Sequence, residues 1–465
     1  MTYFPFLCTA NVRLTENTAL TPGNIKKHNG ILLEEGYTAN PQISWEQRID
    51  NGYPTVFYDE EAEEYRLYYS VFINDISHTE TALEDRKNST YRETGSRVSA
   101  ALLATSKDGE NWVRPNLGLC EFQGSTDNNI LKTYIHGVSV FRDTHEENPD
   151  KKYKMVLRND KNGHMAVSFS PDGIHFCEPV DWIGTNPLGD THNYVWYDEK
   201  YKKYICITRT WENNLRICSR SESTDFINWS PAEEAYRGDS LDDQLYSMTV
   251  FEKDSLYYGL GSFFHGGNRT AEDFDCVDLE LMYSHDTKHW NRVCKGTPFI
   301  PRGKGRYGDG EPDCGCIFAS PPLSDGENLV IYYFGGNGQH TNFRETSLMK
   351  CTACKDELFG YKSDKRTSRL MTTAFEITGN ELFIRADVRD IKDIKIGISD
   401  FFRFHNEPIY KDGFTPEDSK LEKVSENLYK VTFSKALSEA SGKVHIVVIW
   451  NSGTVYGVLG KLKRF

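Results

Sequence analysis

Five polar stretches of the chain stand immediately ahead of an apolar run. ISWEQRIDNGYP carries Trp45, Glu46, Asp50 and Asn51, and YIHGVSV carries His136. GDTHNYV carries Asp190, His192 and Asn193, DDQLYSM carries Asp242, Asp243 and Tyr246, and YGDGEPDCG carries Asp309, Glu311 and Asp313. Paired carboxyl groups suit the cleavage of acetals: one, kept protonated, gives its proton to the leaving oxygen while the other, ionised, serves as base or nucleophile. A separation of about 5–5.5 Å goes with retention of configuration, and one of about 6.5–9.5 Å with inversion through a trapped water. Arg209, Arg216 and His340 could clamp hydroxyls or a carboxylate, and Trp45 and Trp211 offer flat faces to a sugar ring. Asp and Glu also favour turns for purely local reasons, so the elements behind these stretches decide whether the candidates meet.

Those elements are written as repeats. Ser106, Asp108 and Trp112 recur as Ser170, Asp172 and Phe176, as Ser223, Asp225 and Trp229, and as Ser284, Asp286 and Trp290. Copies of S-x-D-x-x-x-aromatic start 64, 53 and 61 residues apart, a period that points to a propeller of four-stranded blades. In phase with them an apolar strand ends in an acidic turn and is followed by a tyrosine-rich strand, as in PTVFYDEEAEEYRLYYS and YVWYDEKYKKYICITR. A fifth, weaker copy, CIFASPPLSDGENLVIYYFGG, completes five blades. Period-2 alternation of β-branched and aromatic residues makes each copy a strand pair. The expectation is an all-β chain: a five-bladed β-propeller over 1–345, its amino-terminal segment closing the ring, then a β-sandwich over 346–465. First strands of blades line the central channel, so the five polar stretches converge on one mouth. Asp59, Asp143 and Asp198, at the far end of the same strands, are expected to be structural.

Composition excludes other classes. A formal net charge of −14 is the wrong sign for a surface that neutralises phosphates, so neither nucleic acid nor anionic membrane is expected as a partner. No apolar segment approaches bilayer length, and MTYFPFLCTANVRL lacks the features of a secretory leader. Eleven scattered cysteines fit reduced thiols better than a disulfide frame. A cytoplasmic protein, or a secreted one whose leader has been removed, is the expectation.

The blades, with an acid ahead of the first strand and S-x-D-G-x-x-W turns, resemble the five-bladed propeller glycoside hydrolases related to families 32, 43 and 68, as a divergent member. The carboxy-terminal strands are similar to the family 32 sandwich. The resemblance implies a glycoside hydrolase acting on an oligo- or polysaccharide, with fructo- and arabinofuranosides among the candidates. It implies Asp50 as base or nucleophile, in IDNGYP, and Asp190 as the partner that orients substrate or tunes pKa. Glu311 or Asp243 is then the acid, with Glu46 the rival for the first role. Trp45, Asn51, His136, His192, Asn193, Arg209, Tyr246, Asp309 and His340 are the expected substrate contacts. No cofactor is required, although the acids and His136 could hold a calcium or sodium ion near the axis. Two further readings differ in class: a non-catalytic carbohydrate-binding propeller, whose funnel carboxylates would be unperturbed, and a glycoside phosphorylase, which needs Arg, Lys or His where phosphate enters.

Overall fold

In a computed structural model describing residues 1–7, 9–402 and 407–464, the four S-x-D turns close the outer hairpins of four sheets. Ser106 Oγ donates to Asp108 Oδ1 (3.0 Å) and accepts from the Gly109 N–H (2.9 Å), and Asp108 Oδ1 takes the N–H groups of Glu110 and Asn111, each at 2.8 Å. The same bonds form around Asp172, Asp225 and Asp286. In every copy the residue after the Asp is left-handed: Gly109 and Gly173, but also Phe226 (φ 67°) and Thr287 (φ 64°). That conformation is unfavourable for a residue with a Cβ, and the Ser–Asp lattice holds it. Trp229 and Trp290 complete their turns by donating Nε1–H to the carbonyls of Phe226 and Thr287.

Blade 1 pairs Thr55–Asp59, Glu64–Ile73, Val98–Ser106 and Trp112–Val113 in antiparallel order, with Ile130–Thr133 added beside the third strand. Blade 2 runs Ile135–Arg142, Tyr153–Asn159, His164–Ser170 and Val180–Asp181. Blade 3 runs Tyr194–Asp198, Lys203–Glu212, Leu215–Ser223 and Glu233–Arg237. Blade 4 runs Gln244–Lys253, Leu256–Phe264, Val277–Ser284 and Trp290–Arg292. Blade 5 takes Cys316–Ala319, Asn328–Gly336 and Thr346–Cys354, and its outermost strand, Ile25–Lys27, comes from the amino-terminal segment, as a closing strand should.

Hydrogen bonds tie neighbouring first strands around the axis: Ser139 Oγ accepts from Val195 N (3.4 Å), Thr249 Oγ1 donates to Ala319 O (3.3 Å), and Ser320 Oγ accepts from Val56 N (2.8 Å), which joins blade 5 to blade 1. The acidic turns act between blades too. Asp59 of blade 1 accepts from Tyr153 of blade 2 (2.5 Å), and Asp143 of blade 2 from Tyr204 of blade 3 (2.6 Å). These tyrosines occupy the same place in successive second strands, so the repeat carries its own latch.

By contacts the chain divides into Lys26–Asp325 with Val330–Thr352, and Met1–Ile25 with Gly326–Leu329 and Ala353–Phe465. The amino-terminal strands, expected within 1–345, pair in the second unit: Thr2–Pro5 with Thr454–Arg464, Val12–Glu16 with Ser368–Thr372, and Thr18–Pro22 with Phe359–Ser363. Phe4, Phe6 and Val12 are buried there in one core with Ile396, Val448 and Trp450. Such pairing of ends more than 300 residues apart leaves no periodic mark in the sequence. Twelve strands of this unit form one hydrogen-bonded network, because Phe375–Asp387 pairs with both Lys443–Trp450 and Thr454–Arg464.

Candidate functional site at the channel mouth

Ahead of the first strand of blade 1 the chain turns sharply through Gly52 (φ 68°) and Tyr53 (φ 45°). Gly52 also lies against the Phe334 ring, where a Cβ would come within 2.2 Å, so glycine is required twice over. The turn presents Asp50 and Asn51 at the mouth. Asp50 Oδ1 accepts from Arg48 Nε (3.1 Å) and Arg344 Nη2 (2.9 Å), and Arg344 Nη2 also reaches Asn51 Oδ1 (2.8 Å). Asn51 Nδ2 donates to the hydroxyls of Tyr53 (2.9 Å) and Tyr246 (3.3 Å). From Tyr246 the contacts pass to blade 3, where the Arg209 guanidinium lies 4.2 Å from the ring and donates Nη2–H to the Tyr246 carbonyl (2.6 Å). Arg209 Nη1 stands 3.6 Å from Asp190 Oδ2, and His136 Nε2 stands 3.5 Å from Asp190 Oδ1. His136 packs edge-on against Tyr53, and His340 packs on Tyr246 at 4.8 Å, which closes the ring of contacts.

Asp50, Asn51, His136, Asp190, Arg209, Tyr246 and His340 are thus brought together from all five blades. Burial pushes the Asp50 carboxyl up, but Arg344 and Arg48 outweigh it and hold the group well below the usual carboxylate range. Burial likewise raises Asp190, and His136 and Arg209 more than offset it. Both carboxylates are therefore ionised. Asp50 is tied through one oxygen, its Oδ2 making no hydrogen bond among the described residues, and the Asp190 side chain is half exposed.

Other expected residues stand elsewhere. Glu46 is fully buried, held by Arg114, by the Tyr69 hydroxyl (2.6 Å) and by the Gly36 N–H (2.7 Å), so it is spent on packing the segment before blade 1. Trp45 packs on the core of blades 1 and 5 and donates Nε1–H to Asn129 (2.6 Å), which leaves no free face at the mouth. Asn193 is consumed by backbone, its Nδ2 reaching the carbonyls of Gly137, Gly189 and Thr191 while Oδ1 accepts from Thr208. His192 is buried beneath Tyr53 with Nε2 3.3 Å from Thr55 Oγ1, and burial takes its pKa down to about 3. Asp243 is paired with Arg292 and Lys295. Asp309 and Glu311 lie exposed on a loop, Glu311 Oε2 accepting from Lys304 N (3.0 Å). Among the described residues no hydrogen bond or ion pair joins Asp243, Asp309 or Glu311 to Asp50, Asp190 or the arginines of the mouth.

Arg48, Arg344 and Tyr53 are the members of the site that sequence reasoning missed. Arg48 had a signal, since alternate residues of an extended segment share a side and Arg48 precedes Asp50 by two. Arg344 had none, being 294 residues from its partner. Beside the mouth a groove of about 1440 Å³ is lined by Lys87, Arg269, Arg306, Gln339 and Asn342 among others. The carbonyls of Gln339 and Asn342 accept from Arg344 and Arg48, the same guanidiniums that hold Asp50. His265, Asp273 and Asp278 form a group of metal-ligand type on the flank of the groove. His265 is already engaged at both nitrogens, with Asp242 O (2.8 Å) and Asp278 Oδ2 (2.9 Å), and Asp278 also binds Arg302. Burial lowers the His265 pKa, but the Asp278 bond overrides it and the net shift is upward.

No family model matches the chain, and no curated protein does. Among solved structures it is similar to an N-acetylgalactosamine deacetylase from F. plautii (15% identity, TM-score 0.46, 74% of this chain and 97% of that one). It is also similar to the α-L-arabinofuranosidase PaAbf62A from Podospora anserina (12% identity, TM-score 0.47, 72% and 98%). A third likeness is to the β-1,2-mannobiose phosphorylase from Listeria innocua (14% identity, TM-score 0.47, 72% and 98%).

Proposed function

We propose that the channel mouth cleaves glycosidic bonds of an oligo- or polysaccharide. The observation that carries this reading is the pair of carboxylates at one mouth, Asp50 from the entry to blade 1 and Asp190 from the entry to blade 3, linked through Arg344, Asn51, Tyr246 and Arg209 and flanked by Tyr53 and His136. Asp50, with one oxygen anchored by two guanidiniums and the other unbonded, serves as base or nucleophile. Asp190 orients the sugar, and with His136 it forms the proton-carrying couple that assists the leaving oxygen.

The test is turnover of a panel of aryl furanosides and pyranosides by the full chain. Asp50→Asn is expected to lower kcat/KM by about 100-fold or more with an unchanged far-UV circular dichroism spectrum; unchanged turnover sinks the assignment. His136→Gln is expected to slow substrates with poor leaving groups far more than activated aryl glycosides, since only the former need the proton. Equal slowing of both would remove His136 from that role.

A further inference from the structure

The mouth holds more positive charge than it neutralises, in a chain whose net charge is −14. Arg48 and Arg344 share Asp50. Arg209 and Arg216, from adjacent strands of blade 3, have between them only the half-exposed Asp190, at 3.6 Å from Arg209, and no carboxylate pairs with Arg216 among the described residues. Both guanidiniums crowd the Tyr246 ring, at 4.2 and 4.9 Å, and Arg216 also lies 4.8 Å from the exposed Trp211 ring. Part of their donor capacity is unspent. Arg209 is 2% exposed, yet its Nε and Nη1 make no hydrogen bond, nor does Arg216 Nε, and Arg216 spends Nη1 on the Gln244 amide oxygen (3.1 Å). His340, packed on the Tyr246 ring, has both ring nitrogens without a hydrogen-bond partner among the described residues.

Buried N–H groups are nearly always paired, and guanidiniums are the donors best matched to carboxylate and phosphate. Unpaired donors of three residues around one ring therefore describe a seat for an anion. We infer that the substrate site takes a ligand bearing an anionic group, a carboxylate or a phosphate, received by Arg209, Arg216 and His340 beside Trp211. The inference rests on the reading of the mouth as the substrate site, while the chemistry assigned to Asp50 plays no part in it.

The test is binding without turnover. The full chain is titrated with inorganic phosphate, sodium glucuronate and neutral glucose, followed by calorimetry and by intrinsic tryptophan fluorescence. At least one anion is expected to bind at millimolar concentration or tighter, with Arg216→Gln weakening it about tenfold, equivalent to about 1.4 kcal/mol, and Arg216→Lys weakening it less. Phosphate alone binding assigns a phosphorylated substrate or phosphate as co-substrate, and glucuronate alone binding assigns a carboxylated sugar. Absence of binding by both anions, or binding indifferent to Arg216→Gln, overturns the inference. Turnover by wild type with loss in Asp50→Asn would stand in either case, so the two readings fail separately.

Discussion

Asp108 and Asp50 belong to the same blade region and are both held ionised, by opposite means. Asp108 finds its donors within three residues, in backbone N–H groups and the Asn111 amide, and the hydrogen bonds from Asn111 do most to keep its carboxyl below the ordinary range. Asp50 has one local partner, Arg48 two residues before it, and depends for the other on Arg344, delivered from 294 residues away. The outer turn is therefore complete wherever its seven residues occur, which is why it can be repeated as punctuation. The mouth is complete only when the ring is closed, and even then it leaves donors unspent, as a site awaiting a ligand does. Glu35 shows a third solution. Buried and facing Glu345, its carboxyl is pushed up to about 8 and keeps its proton.

The contrast is best broken at Arg344. Arg344→Ala removes the donor to Asp50, to Asn51 and to the carbonyl of Gln339, leaving a part-buried carboxylate short of one of its two cations. A loss of about 3–5 kcal/mol of stability is expected, read from denaturant midpoints, together with loss of turnover. Glu35→Gln sharpens it from the other side. A carboxyl whose folded pKa is raised destabilises the fold progressively as pH rises from the ordinary value of 4.5 to about 8 and no further. The variant is expected to match wild type near pH 4 and to exceed it in stability at pH 8, with parallel curves refuting the buried neutral acid. Tyr204→Phe cuts one blade latch, at Asp143, where Lys154 remains at 2.8 Å. About 1.5–3 kcal/mol is expected for a bond to a charged acceptor, with little effect on kcat/KM. Ser170→Ala should cost least, about 1 kcal/mol, because the Asp172 carboxylate still receives the backbone donors of its turn. A larger loss there than at Tyr204 would reverse the ranking of latch and turn.

Legibility followed the range of the interactions. The repeat, the strand pairs and the acidic turns are local, and ISWEQRIDNGYP and GDTHNYV can be placed together because equivalent strands share an address. The same logic overreached at Glu46, Asp243 and Glu311. A carboxylate ahead of a first strand can be spent on Arg114, on Arg292 or on its own loop as readily as on the channel, and each of those partners lies well away in sequence or depends on loop path. Asn193 misled for the complementary reason: the close approach of Gly137 to Thr191, where a Cβ would meet the carbonyl oxygen at 1.7 Å, requires an amide to bind the surrounding backbone, and residue type alone does not reveal that duty.

By itself the sequence determined the all-β character, the blade frame and the turn chemistry, since alternation, Ser–Asp hydrogen bonding and left-handed turns act over a few residues. Only the tertiary structure decided that the amino-terminal strands pair beside the carboxy-terminal ones, and that Asp50 and Asp190 share their mouth with Arg48, Arg344, Arg209 and Arg216. Charge compensation acts through space, so which carboxylates are neutralised, and which guanidiniums are left over, is settled when the blades close the ring.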